Sequence, residues 1–215
     1  MRYENFREKE YYHVFGKGVG EEKIFADDED KVRFMFLLTH FQSPAPIYNV
    51  SWYTKGFLKK NSFSTQKDRI NKIIKEKNVE LTAFSVTSDR FHLLVRNLEE
   101  GVLSVYMHRI LTAYSKYFNA KHNKKGHVFE GPYSAVRVKA STELSQLSAY
   151  IHKGLRGTDE PDSYEKYPYS SCQDYIGANR WGPFLSTDAI LKQFKDQAKY
   201  RHFVMVSSTK SLYDL

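Results

Sequence analysis

The sequence contains very little cysteine, since Cys172 is the only one among 215 residues. A single thiol cannot form an internal disulfide, and it cannot contribute to a zinc site built from several cysteines. Proteins of the reducing cytoplasm commonly have no disulfides. We therefore expect a cytoplasmic protein in which Cys172 is packed and chemically inert.

Long apolar runs are missing as well. No stretch reaches the ~18 residues that a membrane-spanning helix needs. The opening residues, MRYENFREKEYYHVFG, are charged and lack the apolar segment of a signal peptide. We expect no membrane partner.

Positive charge and aromatic rings are, by contrast, plentiful. The net charge is +8, the pI is about 9.3, and aromatic residues make up 15% of the chain. Lysine and arginine attract phosphate backbones, and aromatic rings can stack on unpaired bases. The composition favours a nucleic-acid partner, although most of the rings must fill an ordinary core.

The order of periodic segments is β-α-insertion-β-β-α-β-α. It matches the split βαβ pattern of an α+β, ferredoxin-like fold, in which an antiparallel sheet carries helices on one face. Residues 42–78 are interpreted as an insertion, with a loop or short hairpin followed by a basic helix at about 65–77. The predicted strands are 11–15, 80–86, 91–95 and 135–138. One helix is predicted to start at Asp27 or Asp28, and three more are predicted over 102–121, 143–152 and 187–200.

Five segments carry a resemblance to a known family. They are YHVFGKGVGEEKIFADDEDKVRF, FSVTSDRFHLLV, LTAYSKYFNAKHNKKGHVFEGPYSAVRV, LSAYIHKG and YPYSSCQDYIG. In this order they resemble segments of the REP-associated tyrosine transposases, relatives of the IS200/IS605 transposases with a His-hydrophobic-His motif. The resemblance implies a transposase domain over residues 1–177, with 178–215 as a C-terminal helical extension.

The family resemblance implies a reaction. Such enzymes bind a DNA hairpin and cut the adjacent single strand, with a tyrosine attacking phosphorus to form a 5′-phosphotyrosine intermediate that a 3′-OH later resolves. The resemblance implies that Tyr150 is the nucleophile and that His92 is a ligand of a divalent ion, Mg²⁺ or Mn²⁺, that polarises the phosphate. Hairpin DNA would be the partner of a monomer or a homodimer.

Three positions depart from the family pattern. The His-hydrophobic-His motif is Arg90-Phe91-His92, and arginine has no lone pair for a metal. The third ligand, four residues after the tyrosine, is replaced by Gly154, and His152 should face away from Tyr150 on a helix. Pro132 replaces a basic residue, which would remove one phosphate contact. Because two of the three expected ligands are missing, we expect metal binding to be weak or absent.

A second set of residues is expected to contact DNA. Basic and aromatic residues alternate along 114–127 and predict a groove that follows a phosphate backbone, although they could simply solvate a helix end. Arg90 is expected either to bind the phosphate or to lie in a surface turn. The alternative for both Tyr150 and His92 is that they are ordinary core residues. The predicted DNA-binding residues are Arg90, Arg109, Lys116, Tyr117, Lys121, Lys124, Lys125, His127 and Arg137.

Three functions compete on this sequence. The first is an active enzyme that nicks and rejoins single-stranded DNA. The second is a decayed descendant that binds hairpin DNA without cutting, because two expected ligands are missing. The third is an RNA-binding ferredoxin-like module, which its strands disfavour because they lack the aromatic pattern of such modules.

Overall fold

The computed structural model describes residues 6–153 and 164–208. Four strands form one antiparallel sheet in the order β2-β3-β1-β4. Two edge strands thus flank a central pair, which is the arrangement of a split βαβ fold. The predicted α+β fold class is confirmed. The strands are β1 Tyr11–Lys17, β2 Val79–Val86, β3 Arg90–Asn97 and β4 Ser134–Val138.

Eight α-helices accompany the sheet within these described residues. Their bounds agree with the predicted helices in the first two thirds of the chain, apart from the insertion. They are α1 Asp28–His40, α2 Val50–Lys60, α3 Lys67–Lys75, α4 Val102–Lys121, α5 Ser141–Lys153, α6 Cys172–Ile176, α7 Asp188–Leu191 and α8 Gln197–Val206.

Helices α1 and α4 cover one face of the sheet, as the split βαβ pattern predicts. Helix α1 begins at Asp27, whose carboxylate accepts a hydrogen bond from the Asp30 backbone N–H at 3.0 Å. Phe34 of α1 lies between the two layers, with its ring centroid 5.1 Å from that of Phe91 and 5.2 Å from that of Tyr114. Aromatic rings therefore fill this side of the core.

Helix α5 adds a cover on the opposite face. Successive strand residues point to opposite faces, so His92 and Leu94 of β3 face away from Phe91. The ring of Tyr150 on α5 lies 5.8 Å from that of His92. The sheet is thus covered on both faces, and not on one face as predicted, because α5 packs on the side that lacks α1 and α4. Tyr150 lies on that second side.

The predicted loop or hairpin in the first part of the insertion is wrong, because residues 50–60 form helix α2. Tyr53 and Phe57 are four residues apart and buried, with Phe57 stacked on Trp181 at 5.5 Å. Asn49 and Asn61 flank the helix at positive φ of 57° and 52°, where glycine is the usual residue. The basic helix predicted at about 65–77 is confirmed as α3.

The single helix predicted over 187–200 is also wrong. The chain forms the short α7 there and then starts α8, where the Asp196 carboxylate accepts a hydrogen bond from the Lys199 N–H at 2.8 Å. This N-cap fixes a new helix start inside the predicted one. Gly154, predicted to end α5, and the final residues lie outside the described residues. The boundary at residue 177 stays a prediction.

Cys172 opens helix α6 and is fully buried. Burial, with a smaller contribution from Glu165 and Asp174, raises the pKa of its thiol to about 12. The thiolate, which is the reactive form, is therefore suppressed, as expected for a packed cysteine.

His40 is a buried polar residue at the end of α1. Its Nε2 lies 2.9 Å from the Thr65 hydroxyl, and its ring stacks on Phe36 with 3.9 Å between centroids. Burial lowers the pKa of His40 to about 3, so the imidazole is neutral in the folded chain at neutral pH.

This burial predicts an acid-sensitive fold. Below about pH 6.5 the unfolded chain binds a proton that folded His40 binds only near pH 3, so its contribution to stability is complete above pH 6.5 and is lost as the pH falls. We expect a loss of about 1.4 kcal/mol per pH unit over this window. Urea unfolding of the wild type should therefore lose stability more steeply than that of His40→Gln.

The control variant is His108→Gln, which removes a solvent-exposed imidazole. Identical pH slopes for the wild type and His40→Gln would contradict this account of His40.

Candidate active site

An open cavity of about 400 Å³ lies at the end of the sheet where β1 finishes and β3 begins. Lys17 and Arg90 are paired across these two strands. Helix α5 closes one side of the cavity with Tyr150. The cavity is lined by Phe15, Gly16, Lys17, Arg90, His92, Glu130, Pro132, Ser134 and Tyr150.

Two histidines form the buried side of this site. His13 Nε2 lies 2.9 Å from His92 Nδ1, and both residues are buried. Burial lowers the pKa of His13 to about 3, and burial followed by the neighbouring His13 and Arg90 lowers the pKa of His92 well below its usual value. At neutral pH both rings are therefore neutral imidazoles, and the N–H of one donates to the bare nitrogen of the other.

Tyr150 stands over this pair. Its ring centroid is 6.1 Å from that of His13 and 5.8 Å from that of His92, in edge-to-face contact with both. The side chain is partly exposed, and its hydroxyl forms no hydrogen bond with the described residues. The structure thus brings together the predicted nucleophile and the predicted ligand His92, with His13 as a third member.

Charged side chains line the mouth of the cavity. Arg90 is roughly half-exposed and donates to both oxygens of Asp89, at 2.6 Å from Nη2 to Oδ2. Lys17 forms an ion pair with Glu130 at 2.8 Å. An anionic substrate would thus meet two cations and two carboxylates at the entrance.

Comparison with known proteins identifies the family. The model of the IS200-like transposase family matches residues 43–154, which is more than half of the chain. The chain belongs to the IS200-like transposase family. The family predicted from the sequence is thereby confirmed.

One solved structure is similar to this IS200-like transposase over most of its length. It shows a REP-associated tyrosine transposase bound to a REP hairpin, with a TM-score of 0.53 and 10% sequence identity. The match covers 88% of this chain and 92% of the other. At this identity the likeness shows a shared fold. No match was found among curated proteins. No helix of the described part is long and apolar enough to cross a membrane.

The residues of this transposase do not reproduce the metal-ligand set that the family resemblance implies. Arg90, in place of the first histidine, brings a guanidinium to the cavity and offers no lone pair. His92 Nδ1 is already in a hydrogen bond with His13, and Gly154 lies outside the described residues. Glu130 contributes a carboxylate to the cavity wall, but this carboxylate forms an ion pair with Lys17. The residues around Tyr150 therefore do not form the expected three-ligand site.

A separate group of metal-ligating side chains lies where α1 begins and α4 ends. Asp27, Asp30 and His122 place one ligand atom each within 4.8 Å of one another and could hold an ion. The Lys121 ammonium already lies 2.7 Å from Asp27 and 2.9 Å from Asp30. This network thus joins the two helices, on the sheet face away from Tyr150.

Two of the predicted DNA-binding lysines form ion pairs with carboxylates of the chain itself. Lys121 contacts the acidic start of α1, and Lys124 Nζ lies 2.7 Å from Glu22. The Tyr117 hydroxyl donates to Asp30 at 3.0 Å. Lys116, Lys125 and His127 are exposed, and no ion pair links them to the residues that the structure describes. The predicted groove is therefore less positive than its sequence indicates.

The two remaining predicted arginines lie elsewhere. Arg109 donates to the carbonyls of Ser43 at 2.6 Å and Ala45 at 3.3 Å, which ties the start of the insertion to α4. Arg137 on β4 is partly buried, 3.9 Å from Glu10. Of the nine predicted DNA-binding residues, the cavity includes Arg90 alone. DNA contacts by the others stay a prediction.

His152 has a role that the sequence did not reveal. Its Nδ1 lies 2.7 Å from the Tyr200 hydroxyl and its Nε2 lies 2.7 Å from the Ser171 hydroxyl. The Tyr200 hydroxyl also lies 2.9 Å from that of Ser148. Because all four residues are buried, this network fixes α5, the helix of Tyr150, to α8.

This network predicts that Tyr200→Phe destabilises the protein. The change leaves His152 and Ser148 without the hydroxyl between them, and a buried unsatisfied polar group costs about 1–3 kcal/mol. Urea unfolding should show this loss. The control Tyr48→Phe alters a ring that is 64% exposed and should change stability by less than about 0.5 kcal/mol. Equal stability of both variants would argue against the network.

Proposed function

We propose that this IS200-like transposase binds a DNA hairpin with an adjacent single strand, and that Tyr150 cuts and rejoins that strand. The observation that carries the proposal is the position of the Tyr150 phenol over a cavity with Arg90 and Lys17 at its mouth. The similar solved structure, which is bound to a REP hairpin, supports DNA as the partner. The lone buried Cys172 fits a cytoplasmic protein.

In the proposed reaction, the Tyr150 oxygen attacks the phosphorus of a phosphodiester. The bond from phosphorus to the 3′-oxygen breaks, the phenol proton leaves the tyrosine, and the 3′-oxygen departs as a 3′-OH. A 5′-phosphotyrosine is left. A 3′-OH then attacks this link, and Tyr150 regains its proton. A phenol with a pKa of roughly 10 is a weak nucleophile, so the site must stabilise the charge that develops on phosphorus.

Arg90 is the group best suited to that charge. Its guanidinium matches phosphate oxygens in geometry and stays charged at any working pH. The neutral His13–His92 pair has lowered pKa values, so it accepts protons poorly. Its part in the proposal is to hold the Tyr150 ring, which contacts both imidazoles.

A divalent ion, Mg²⁺ or Mn²⁺, would supply phosphate polarisation in this family. In this chain we expect weak binding at His92, because Arg90 repels a cation and His13 occupies Nδ1. The same observation supports a second candidate function. A descendant that binds hairpin DNA but no longer cuts would keep the fold and lose the ligands.

The variant Tyr150→Phe tests the proposed reaction. It removes the attacking oxygen alone, so it should abolish the covalent protein–DNA adduct and leave hairpin binding nearly intact. Adducts are measured by denaturing gel electrophoresis after incubation with a labelled hairpin that carries a single-stranded flank, with and without Mn²⁺.

Two matched controls are Tyr114→Phe and Tyr117→Phe on α4. Their hydroxyls donate to Ile24 O and to Asp30, away from the cavity, so these variants should still form adducts. Adducts that persist in Tyr150→Phe and vanish in either control would place the nucleophile on α4. DNA binding without any adduct in the wild type would favour the second candidate function.

The variant Arg90→His should strengthen metal binding. Residues 90 and 92 of β3 both line the cavity, so a new imidazole would face the same space as His92. The lost Arg90–Asp89 pair is partly exposed and worth about 0–1 kcal/mol. Calorimetric Mn²⁺ titration should show tighter binding than in the wild type, and adding Gly154→Asn should strengthen it further.

The control for this variant is Arg96→His, which places a histidine near the other end of β3. It should leave Mn²⁺ affinity unchanged. If the wild type already binds Mn²⁺ and cuts well, and Arg90→His lowers both, then Arg90 contacts the reacting phosphate and the site is not degenerate.

A further inference from the structure

The insertion carries most of the net positive charge of the chain. Residues 42–78 contain eight Lys and Arg against two Asp and Glu, so they hold six of the eight net positive charges. None of these ten residues forms an ion pair with any residue in 6–153 or 164–208. The basic residues are Lys55, Lys59, Lys60, Lys67, Arg69, Lys72, Lys75 and Lys77.

This contrasts with α4, where the sequence predicted the DNA groove. There Lys121 lies against Asp27, Glu29 and Asp30, and Lys124 lies against Glu22. A lysine already paired with carboxylates gains less from a phosphate. The insertion therefore offers a phosphate backbone a group of cations that no ion pair with a carboxylate of the described residues neutralises.

Exposed aromatic rings accompany these lysines. Tyr48 is 64% exposed and Trp52 is 63% exposed. On α2, Lys55 and Lys59 lie three and seven residues after Trp52, so the three side chains share one face of the helix. A ring with cations beside it can stack on an unpaired base while the cations contact the flanking phosphates.

Gly56 leaves room beside Trp52. It lies four residues further along α2, and a side chain there would meet no atom within 4 Å. Glycine inside a helix costs about 1 kcal/mol relative to alanine, and packing gives no reason for it here. The consequence is an open helix surface one turn beyond Trp52.

The body of α2 is firmly held, so this face is presented in a defined position. Tyr53 stacks on Phe36 at 5.1 Å and Phe57 stacks on Trp181 at 5.5 Å. Its N-terminal end is joined to α1, since Arg33 donates to the Ser51 hydroxyl at 3.1 Å.

We propose that single-stranded DNA binds to the α2 surface, defined as Tyr48, Trp52, Lys55, Lys59 and Lys60. The lysines contact backbone phosphates, and the two rings stack on unpaired bases beside the hairpin. This inference rests on the proposed DNA binding of the chain. An anionic membrane is disfavoured, because a helix that enters a membrane exposes a broad apolar face. Helix α2 buries Tyr53 and Phe57, and its exposed apolar residues Trp52 and Leu58 are interspersed with exposed lysines.

The test uses the full chain and three probes: a labelled hairpin, the same hairpin with a flank of about ten unpaired nucleotides, and vesicles of phosphatidylcholine and phosphatidylserine. Two variants are compared: the single variant Trp52→Ala, and a double variant that combines Lys55→Gln and Lys59→Gln. The matched control is Lys195→Gln with Lys199→Gln, which removes the same charge from two exposed lysines, one between α7 and α8 and one in the first turn of α8. Like Lys55 and Lys59, these lysines form no ion pair with the described residues.

We expect Trp52→Ala to weaken binding of the flanked hairpin at least fivefold and to leave the plain hairpin unchanged, since stacking needs unpaired bases. The double lysine variant should lower the slope of log affinity against log salt by about 1.4 on the flanked probe, at about 0.7 for each lost phosphate contact. The control should retain wild-type affinity and slope on both DNA probes.

Three results would overturn the proposal. One is equal affinity of the α2 variants and the control for the flanked hairpin. Another is an equal loss on both DNA probes. The third is vesicle binding that Trp52→Ala abolishes while DNA binding is unaffected. If the wild type forms Tyr150 adducts in any of these cases, the proposed function stands and the α2 surface alone is refuted. A wild type that binds no DNA refutes both.

Discussion

The imidazole of His152 joins helix α5 to two distant parts of the chain. Both nitrogens of His152 are in hydrogen bonds, one to Tyr200 on α8 and one to Ser171 just before α6. Ser171 in turn accepts from the Phe84 N–H of β2 at 2.9 Å. The position of Tyr150, two residues before His152, therefore depends on contacts that reach from the sheet edge to the C-terminal helix. The site and the predicted C-terminal extension are physically coupled.

Charge is distributed unevenly between two parts of the molecule. Where α1 begins and α4 ends, carboxylates and lysines neutralise each other and hold the helices together. The insertion has no such balance, and Lys55, Lys59 and Lys60 of α2 are exposed to the solvent or to a partner. The two regions meet where Arg33, stacked over Tyr117 at 4.2 Å, donates to Ser51. The ion-paired region between α1 and α4 thus adjoins the basic insertion, whose positive charge is not neutralised by ion pairs with the described residues.

Much of the fold could be predicted because its signals are local. The bounds of α4 follow from apolar residues repeating over twenty positions, and α1 starts at a carboxylate cap that the sequence shows. Helix α2 could not be predicted in this way. Its two buried rings contact Phe36 and Trp181, and the second of these partners is more than a hundred residues away.

The site was predictable in part for a similar reason. Tyr150 and His92 follow from the family motif. His13 enters the site only because the register of β1 against β3 pairs Phe15 with His92 and places His13 one pleat further along the same face. Likewise, Lys121 and Lys124 read as free cations in the sequence, and only the tertiary structure brings Asp27 and Glu22 to them.

The lone cysteine makes the packing of this region measurable. Cys172 follows Ser171, the partner of His152, and burial keeps its thiol protonated and out of reach of solvent. A thiol-reactive dye can modify it only in molecules whose α6 has opened locally. The rate of labelling under native conditions therefore reports the free energy of that opening. Since the chain has no second thiol, the signal needs no engineered background and can be followed while ligands are added.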